Sequence, residues 1–326
     1  MFISLPLEIQ GQIFKCLTVG DILILSNVCR GLRYLSLSYH VWMSSILVVG
    51  DNLLQPSPII AFRNSSIRNN QHTKRPCYYI DQSTLEKFAP YLHYIQAFTS
   101  APFHDIVDRT MAWSFVPNLL YVDLSGNNGI TDKCIKALAS NCKIIRSLNL
   151  SKCHGLSPKT VYIVSTELKF LENLDLSNTR CATTHSIVHL LSHCQHPLVN
   201  LSLESCHWID WSILLASSKG IASHSQHLSK MNASRNILIS GKTLIEFARL
   251  RAQHLLTLSM SQSCPNHASI LPILSLDVCF CEDITEADAK IASEFSNSYL
   301  SVTHNALMKD TSAESIHNYL KLICGL

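Results

Sequence analysis

Glycine is scarce in this chain, with 10 residues in 326, and charged side chains make up only 15% of it. Nothing resembles a glycine-rich phosphate cradle, so nucleotide chemistry of the P-loop or dinucleotide kind is excluded. No apolar run approaches the roughly 18 to 20 residues a spanning helix needs, and the richest stretch, Ile22 to Leu25, ends at Ser26 and Asn27. The opening residues Met1-Phe2-Ile3-Ser4 lack a basic n-region and Glu8 interrupts the apolar stretch, so no secretory signal is expected. No CxxC pair occurs; Cys279-Phe280-Cys281 comes nearest, and the 13 cysteines are an odd number. A disulfide framework is therefore not expected, and the cysteine usage implies a reducing compartment. The net charge is +3, with Lys74-Arg75 and Arg249/Arg251 the densest basic clusters, too sparse for a nucleic-acid footprint.

Against these absences stands a hydrophobic content of 47%. A repeat array accounts for it, because every repeat adds core positions of its own. The pattern Leu-x-x-Leu-x-Leu occurs at Leu119-Val122-Leu124, Ile145-Leu148-Leu150, Leu171-Leu174-Leu176 and Leu198-Leu201-Leu203, a period of 26 to 27 residues. Weaker copies stand at Leu92-Ile95-Ala97, Leu228-Met231-Ala233, Leu255-Leu258-Met260, Ile273-Leu276-Val278 and through Leu300 and Val302, about nine units in all. The ninth position is Cys153, Cys206 and Cys281 in some units and Asn127, Asn236 and Asn305 in others. Both residue types can donate a hydrogen bond, as a chain turning inward after a strand requires. An apolar residue and a hydroxyl residue follow, at Ile130-Thr131, Leu156-Ser157, Ile239-Ser240 and Ile284-Thr285, and the hydroxyl is placed to cap a helix. Apolar residues at helical spacing come next, as in Ile135, Leu138, Ala139 and Cys142. Each unit thus reads as strand, turn and helix.

The first 50 residues do not carry this period. They read Leu5-Pro6-Leu7-Glu8-Ile9, then Ile13 and Leu17, Asp21-Ile22, Val28-Cys29-Arg30 and Leu32, and finally Trp42. Pro6 suits a first helical turn, Glu8 its positive end, and Ile9, Ile13 and Leu17 one stripe. The segment predicts a small helical bundle, too small to bury all its apolar groups alone.

The repeat resembles the cysteine-containing class of leucine-rich repeats, most clearly over 119–210. The N-terminal segment resembles an F-box. Together they resemble the F-box/leucine-rich-repeat substrate receptors of Skp–cullin–F-box (SCF) ubiquitin ligases. The resemblance implies an α/β solenoid, a horseshoe with parallel strands on the concave face and helices on the convex one, preceded by a small all-α F-box. The implied domains are the F-box at 1–50, a polar linker at 51–78, and the solenoid at 79–326. It further implies a non-catalytic receptor, cytoplasmic and/or nuclear, with no cofactor and neither nucleic acid nor membrane as partner. Its F-box would dock a Skp-type adaptor, and through it a cullin–RING ligase, by Leu5, Pro6, Ile9, Val28, Cys29 and Leu32. The concave face would bind a protein substrate.

Groups that could carry other chemistry have simpler readings. His185, His189 and His193 have metal-ligand spacing but no carboxylate near them in sequence, and read as an exposed helical face. Cys153-His154 and Cys206-His207 could suggest a thiol nucleophile, but the cysteines belong to the buried turn position and buried thiols are inert. No catalytic or metal-binding residue is assigned. Alternation along each strand turns one row outward as Asp123, Asn149, Asp175, Ser202, Asn232, Ser259 and Asp277. A second row is Tyr121, Ser147, Asn173, Asn200, Lys230, Thr257 and Ser275. A solvated sheet has the same composition. Glu172, Glu204 and Trp208 near the middle favour a basic and apolar substrate segment, with Tyr121, Asp123, Asn149, Asp175, Glu204 and Trp208 as the contact residues.

Overall fold

The computed structural model describes residues 5–6, 9–10, 13, 25, 28–32, 46–49, 77–80, 97–100, 117–193, 198–216, 228–261, 273–295 and 300–304. The chain divides into two compact units, Met1–Ser202 and Leu203–Leu326. Most of the polar stretch at 51–78, the motif residues Glu8, Ile22 and Trp42, and Asn305 lie outside the described residues.

In the first unit the strands are β1 (Ile46–Val49), β2 (Cys77–Ile80), β3 (Ala97–Ser100), β4 (Tyr121–Asp123), β5 (Ser147–Asn149), β6 (Asn173–Asp175) and β7 (Asn200–Ser202). The helices are α1 (Asp132–Asn141), α2 (Pro158–Glu167) and α3 (Thr184–His193). The strands form a parallel sheet in the order β2-β1-β3-β4-β5-β6-β7. The second unit holds α4 (Trp211–Ala216), β8 (Lys230–Asn232), α5 (Gly241–Ser261), β9 (Leu274–Asp277), α6 (Glu286–Phe295) and β10 (Leu300–Thr303). Its strands are parallel in the order β8-β9-β10. The coils are those of an α/β solenoid.

Register explains the leucine pattern. Val122 pairs with Leu148, Leu148 with Leu174 and Leu174 with Leu201, so the middle residue of every strand stacks on its counterpart, and all four are buried. Leu124, Leu150 and Leu176 are fully buried as well. Each helix closes its coil with one apolar face: Cys134, Ile135, Leu138 and Ala139 on α1, Val161 and Val164 on α2, Ile187 and Leu190 on α3. Burying one such leucine or valine contributes roughly 1.5–3 kcal/mol. The array is therefore held by many equal contributions rather than one centre.

The turn after each strand is built the same way. Gly126, Lys152, Asn178, Ser205, Arg235 and Phe280 all adopt the left-handed conformation, and only the first is glycine. The other five carry a cost of about 1–2 kcal/mol each. It is offset by hydrogen bonds between coils: the N–H groups of Gly126, Lys152 and Arg235 donate to Ser151 O, Ser177 O and Cys279 O at 2.8–2.9 Å. The next residue is the expected donor. Cys153 Sγ donates to Leu124 O at 3.0 Å and Cys281 Sγ to Ala233 O at 3.5 Å. Asn236 Nδ2 donates to Leu203 O at 3.0 Å, Ala233 O at 2.9 Å and Ser234 O at 3.2 Å.

The hydroxyl residues cap their helices as expected: Thr131 accepts from Lys133 N–H, Ser157 from Lys159 N–H and Ser240 from Thr243 N–H. Thr285 and Asp288 bond reciprocally, each accepting the other's backbone N–H. One brace crosses coils: Asp132 accepts from Ser157 N–H at 2.9 Å, Ser157 Oγ at 2.5 Å and Thr160 Oγ1 at 2.6 Å. Burial pushes the Asp132 carboxyl up, but these hydrogen bonds outweigh it and hold the group below the usual carboxylate range. Coils also meet where a side chain would not fit. A Cβ on Gly155 would stand 2.5 Å from Ile130 O.

Three readings of the sequence are corrected. Leu255-Leu258-Met260 is not a strand: residues 241 to 261 form α5, and β8 pairs directly with β9, Lys230 opposite Ser275. Leucines three apart satisfy a helix as well as a repeat, and no proline interrupts before Pro265. Thr257 and Ser259 therefore lie on a helix and leave the sheet rows. Upstream, Ala97 pairs with Tyr121 and Phe98 with Val122, so the pattern runs Ile95-x-x-Phe98, three residues later than Leu92-x-x-Ile95. Leu92, Ile95 and Phe98 are spaced by three, which left the frame ambiguous. Lastly, Thr179 holds the ninth place in the unit of Leu171. It donates to Leu176 O at 2.5 Å and accepts from Cys181 Sγ at 3.2 Å.

Candidate interaction surfaces

The residues at the N-terminus chosen for docking are open to solvent. Leu5, Pro6, Ile9 and Cys29 are exposed, Val28 is 65% exposed, and Leu32 is half-buried. Pro6 starts a helical turn, its carbonyl accepting from the N–H groups of Ile9 and Gln10 at 3.0 Å. Buried Gln10 donates through Nε2 to Leu5 O at 2.7 Å, which fixes the backbone just before that turn. Ile13 is also exposed, and its i+4 spacing from Ile9 puts it on the same stripe. Four exposed aliphatic side chains at Leu5, Ile9, Ile13 and Val28 are surface that water would otherwise wet.

On the sheet of the first unit, Tyr121, Asp123, Asn149 and Asp175 flank the buried middle residues of β4, β5 and β6, and Asn149 is itself buried. Three of them have work in the fold. Asp123 Oδ1 accepts from Ser125 N–H, Asn149 Oδ1 from Ser151 N–H and Asp175 Oδ1 from Ser177 N–H, at 2.9–3.0 Å. In the second unit Asn232 and Asp277 do the same for Ser234 and Cys279. Such Asx bonds favour turn formation, so the recurring acid or amide in this row is explained by the left-handed turn that follows it. Asp123 is only 8% exposed, and burial pushes its carboxyl up from the usual value despite the bond from Ser125. Asp175 and Tyr121 are more open. In the second row Asn200 Nδ2 donates to Asn173 Oδ1, one rung of an amide ladder. Beside it Arg146 pairs with Glu172 at 2.5 Å.

In the second unit, Glu204 faces Arg235 Nε at 3.4 Å and accepts from Asn232 Nδ2 at 3.4 Å. Arg235 lies over the Phe280 ring, 5.5 Å from its centroid. The two nearby tryptophans separate completely. Trp211 is buried at the start of α4, whereas Trp208 is 61% exposed on the turn before it. Sequence reasoning missed Ile237 and Leu238, both exposed in the equivalent turn of the next coil. Their signal was the departure from the small or polar residues at that place in the units of Leu119, Ile145 and Ile273.

The thiols are poor nucleophiles. Burial pushes Cys142 and Cys153 up to about 12, and Cys181 and Cys281 up to about 11. Cys153 and Cys281 donate to backbone carbonyls and Cys181 to Thr179 Oγ1, as structural thiols would. His189 stacks on His193, ring centroids 4.0 Å apart and planes within 8°, and its Nδ1 lies 3.2 Å from Ser165 Oγ. Burial, and secondarily the charge of His193, holds His189 below the usual histidine range. Among the described residues no group of three or more His, Cys, Asp or Glu is placed to hold a metal ion. Also among them, no helix is long and apolar enough to cross a membrane.

Residues 2–47 match the F-box-like family. The chain is similar to a chain in the crystal structure of the Rad7 and Elc1 complex in yeast, with 17% identity and a TM-score of 0.45, covering 72% of this chain and 65% of that one. The chain thus spans about 65% of the length of that solved chain.

Proposed function

We propose, from an N-terminal F-box-like domain joined to a leucine-rich-repeat solenoid, that this chain is a non-catalytic substrate receptor of an SCF-type ubiquitin ligase. The F-box-like match at 2–47 carries the reading, supported by the exposed apolar side chains of Leu5, Ile9 and Val28 within that segment. A Skp-type adaptor would cover these groups and link the chain to a cullin–RING assembly. The solenoid would hold a protein substrate: in the first unit beside Tyr121, Asp123, Asn149 and Asp175, in the second beside Glu204 and Trp208. Proximity is the whole contribution, since the ubiquitin transfer belongs to other subunits.

The experiment is reconstitution. The full chain, co-expressed with a Skp-type adaptor, should form a stoichiometric complex that captures a cullin and shows ligase activity toward bound proteins. Capture of the adaptor without the cullin would favour the second reading, a scaffold acting outside a ligase. Failure to bind the adaptor at all would remove both. For the substrate face, Asp175→Asn is the suitable probe in the first unit, because it removes the charge and keeps the acceptor for Ser177 N–H.

A further inference from the structure

We infer that the turn edge of the second unit, at Trp208, Ile237 and Leu238, seats an extended protein segment bearing apolar side chains followed by lysine or arginine. This deepens the substrate-receptor reading and rests on it. The two residues after each ladder position form the tip of a turn. Of the other tips, Asn128-Gly129, His154-Gly155 and Glu282-Asp283 are small or polar residues of the kind turns favour, and Arg180-Cys181 pairs an exposed arginine with a buried cysteine. In two adjacent coils they are His207-Trp208 and Ile237-Leu238. The coils lie side by side: Ser205 N–H donates to Ser234 O at 3.1 Å, and Asn236 Nδ2 reaches Leu203 O at 3.0 Å.

The fold does not need these three side chains. Ile209 and Ile239, one residue further on, are fully buried and supply the core contact of each turn. Trp208 is 61%, Ile237 49% and Leu238 58% exposed. Adjacent exposed apolar groups of this size, with neighbouring coils managing on polar residues, mark a contact surface.

Charge identifies the occupant. The next turn along carries Glu282 and Asp283, both exposed, and the bond from Cys281 Sγ to Ala233 O sets that turn beside the Ile237-Leu238 coil. Among the described residues of this unit, the ion pairs are Arg235–Glu204 and Arg249–Glu246, so neither Glu282 nor Asp283 is in one. An apolar strip bordered by two carboxylates fits apolar anchors with a cationic flank, and the exposed indole can also receive a cation on its face.

The test uses the full chain bound to its adaptor and fluorescein-labelled peptides, read by anisotropy. The probe is Gly-Ser-Leu-Phe-Lys-Arg-Gly-Ser, with controls in which Lys-Arg becomes Glu-Glu or Leu-Phe becomes Ser-Ser. The probe should bind at least about tenfold more tightly than either control. Trp208→Ser, and Ile237→Ser with Leu238→Ser, should each weaken it about tenfold. Glu282→Lys with Asp283→Lys should reverse the preference toward the Glu-Glu peptide, an outcome that a misfolded variant cannot produce. Equal binding of probe and controls, no binding of any peptide, or unchanged binding by Trp208→Ser overturns the inference. So does a concentration-dependent dimer dissolved by Trp208→Ser, which would assign the edge to a second copy of the chain. Loss of adaptor capture would instead sink the receptor reading, so the two failures are distinguishable.

Discussion

Replacing Cys153 in turn by asparagine, alanine and leucine isolates what the ladder position contributes. Its thiol is fully buried and donates to Leu124 O at 3.0 Å, with Ser151 O at 3.7 Å. Asn236, at the same place in another coil, donates to the two equivalent carbonyls, Leu203 O and Ser234 O, and also to Ala233 O. Cys153→Asn should therefore keep the donor, and its cost should stay within about 1 kcal/mol. Cys153→Ala leaves the Leu124 carbonyl without that donor, at about 1–3 kcal/mol. Cys153→Leu adds overpacking to the same loss, for roughly 2–6 kcal/mol in all. Urea unfolding at pH 7 measures all three. Alkaline pH supplies an independent check. The folded thiol titrates near 12 against 9.0 for the free group, so its contribution is complete below pH 9 and is lost as pH rises toward 12. Between those limits the loss is about 1.4 kcal/mol per pH unit. Cys153→Asn removes that thiol and should flatten the decline above pH 9 by about this amount. Two results would refute the reasoning: a Cys153→Asn cost equal to that of Cys153→Leu, or rapid native-state labelling of Cys153, located by mass spectrometry, while exposed Cys29 labels at its own rate.

Leu5→Ala with Pro6→Ala should weaken adaptor binding about tenfold or more, and undiminished pull-down would count against docking through this segment. Gly155→Ala should destabilise by about 1–3 kcal/mol, because a Cβ meets Ile130 O, and an unchanged thermal midpoint would contradict that contact. Asp123→Asn keeps the acceptor for Ser125 N–H and removes a buried charge. The raised Asp123 carboxyl favours folding most below the unfolded value of 3.8 and loses that advantage as pH rises through its higher folded value. The asparagine variant should thus equal or exceed the parent near pH 7 and lose relative ground near pH 3, and denaturation curves at the two pH values decide it.

The repeat and its coil anatomy were legible because stacking imposes a strict residue code at strand, ladder and cap. Leu148, Cys153 and Ser157 could each be placed from spacing alone. The N-terminal segment was legible for the same reason, since Pro6, Ile9 and Val28 stand at fixed intervals. Where two periods coincide, spacing could not choose. Leucines three apart at 255 and 258 serve helix or repeat, and Leu92, Ile95 and Phe98 offer two frames. Pairing with β9 and β4 resolved these ambiguities, because only a neighbouring strand specifies which residue must face it. The acidic row has a structural cause invisible in sequence, for the carboxylates of Asp123 and Asp175 also bond to the turn two residues on. The exposed edge was hidden likewise: Ile237-Leu238-Ile239 is one apolar run by composition, and only the turn's geometry buries the last residue and leaves the first two in water.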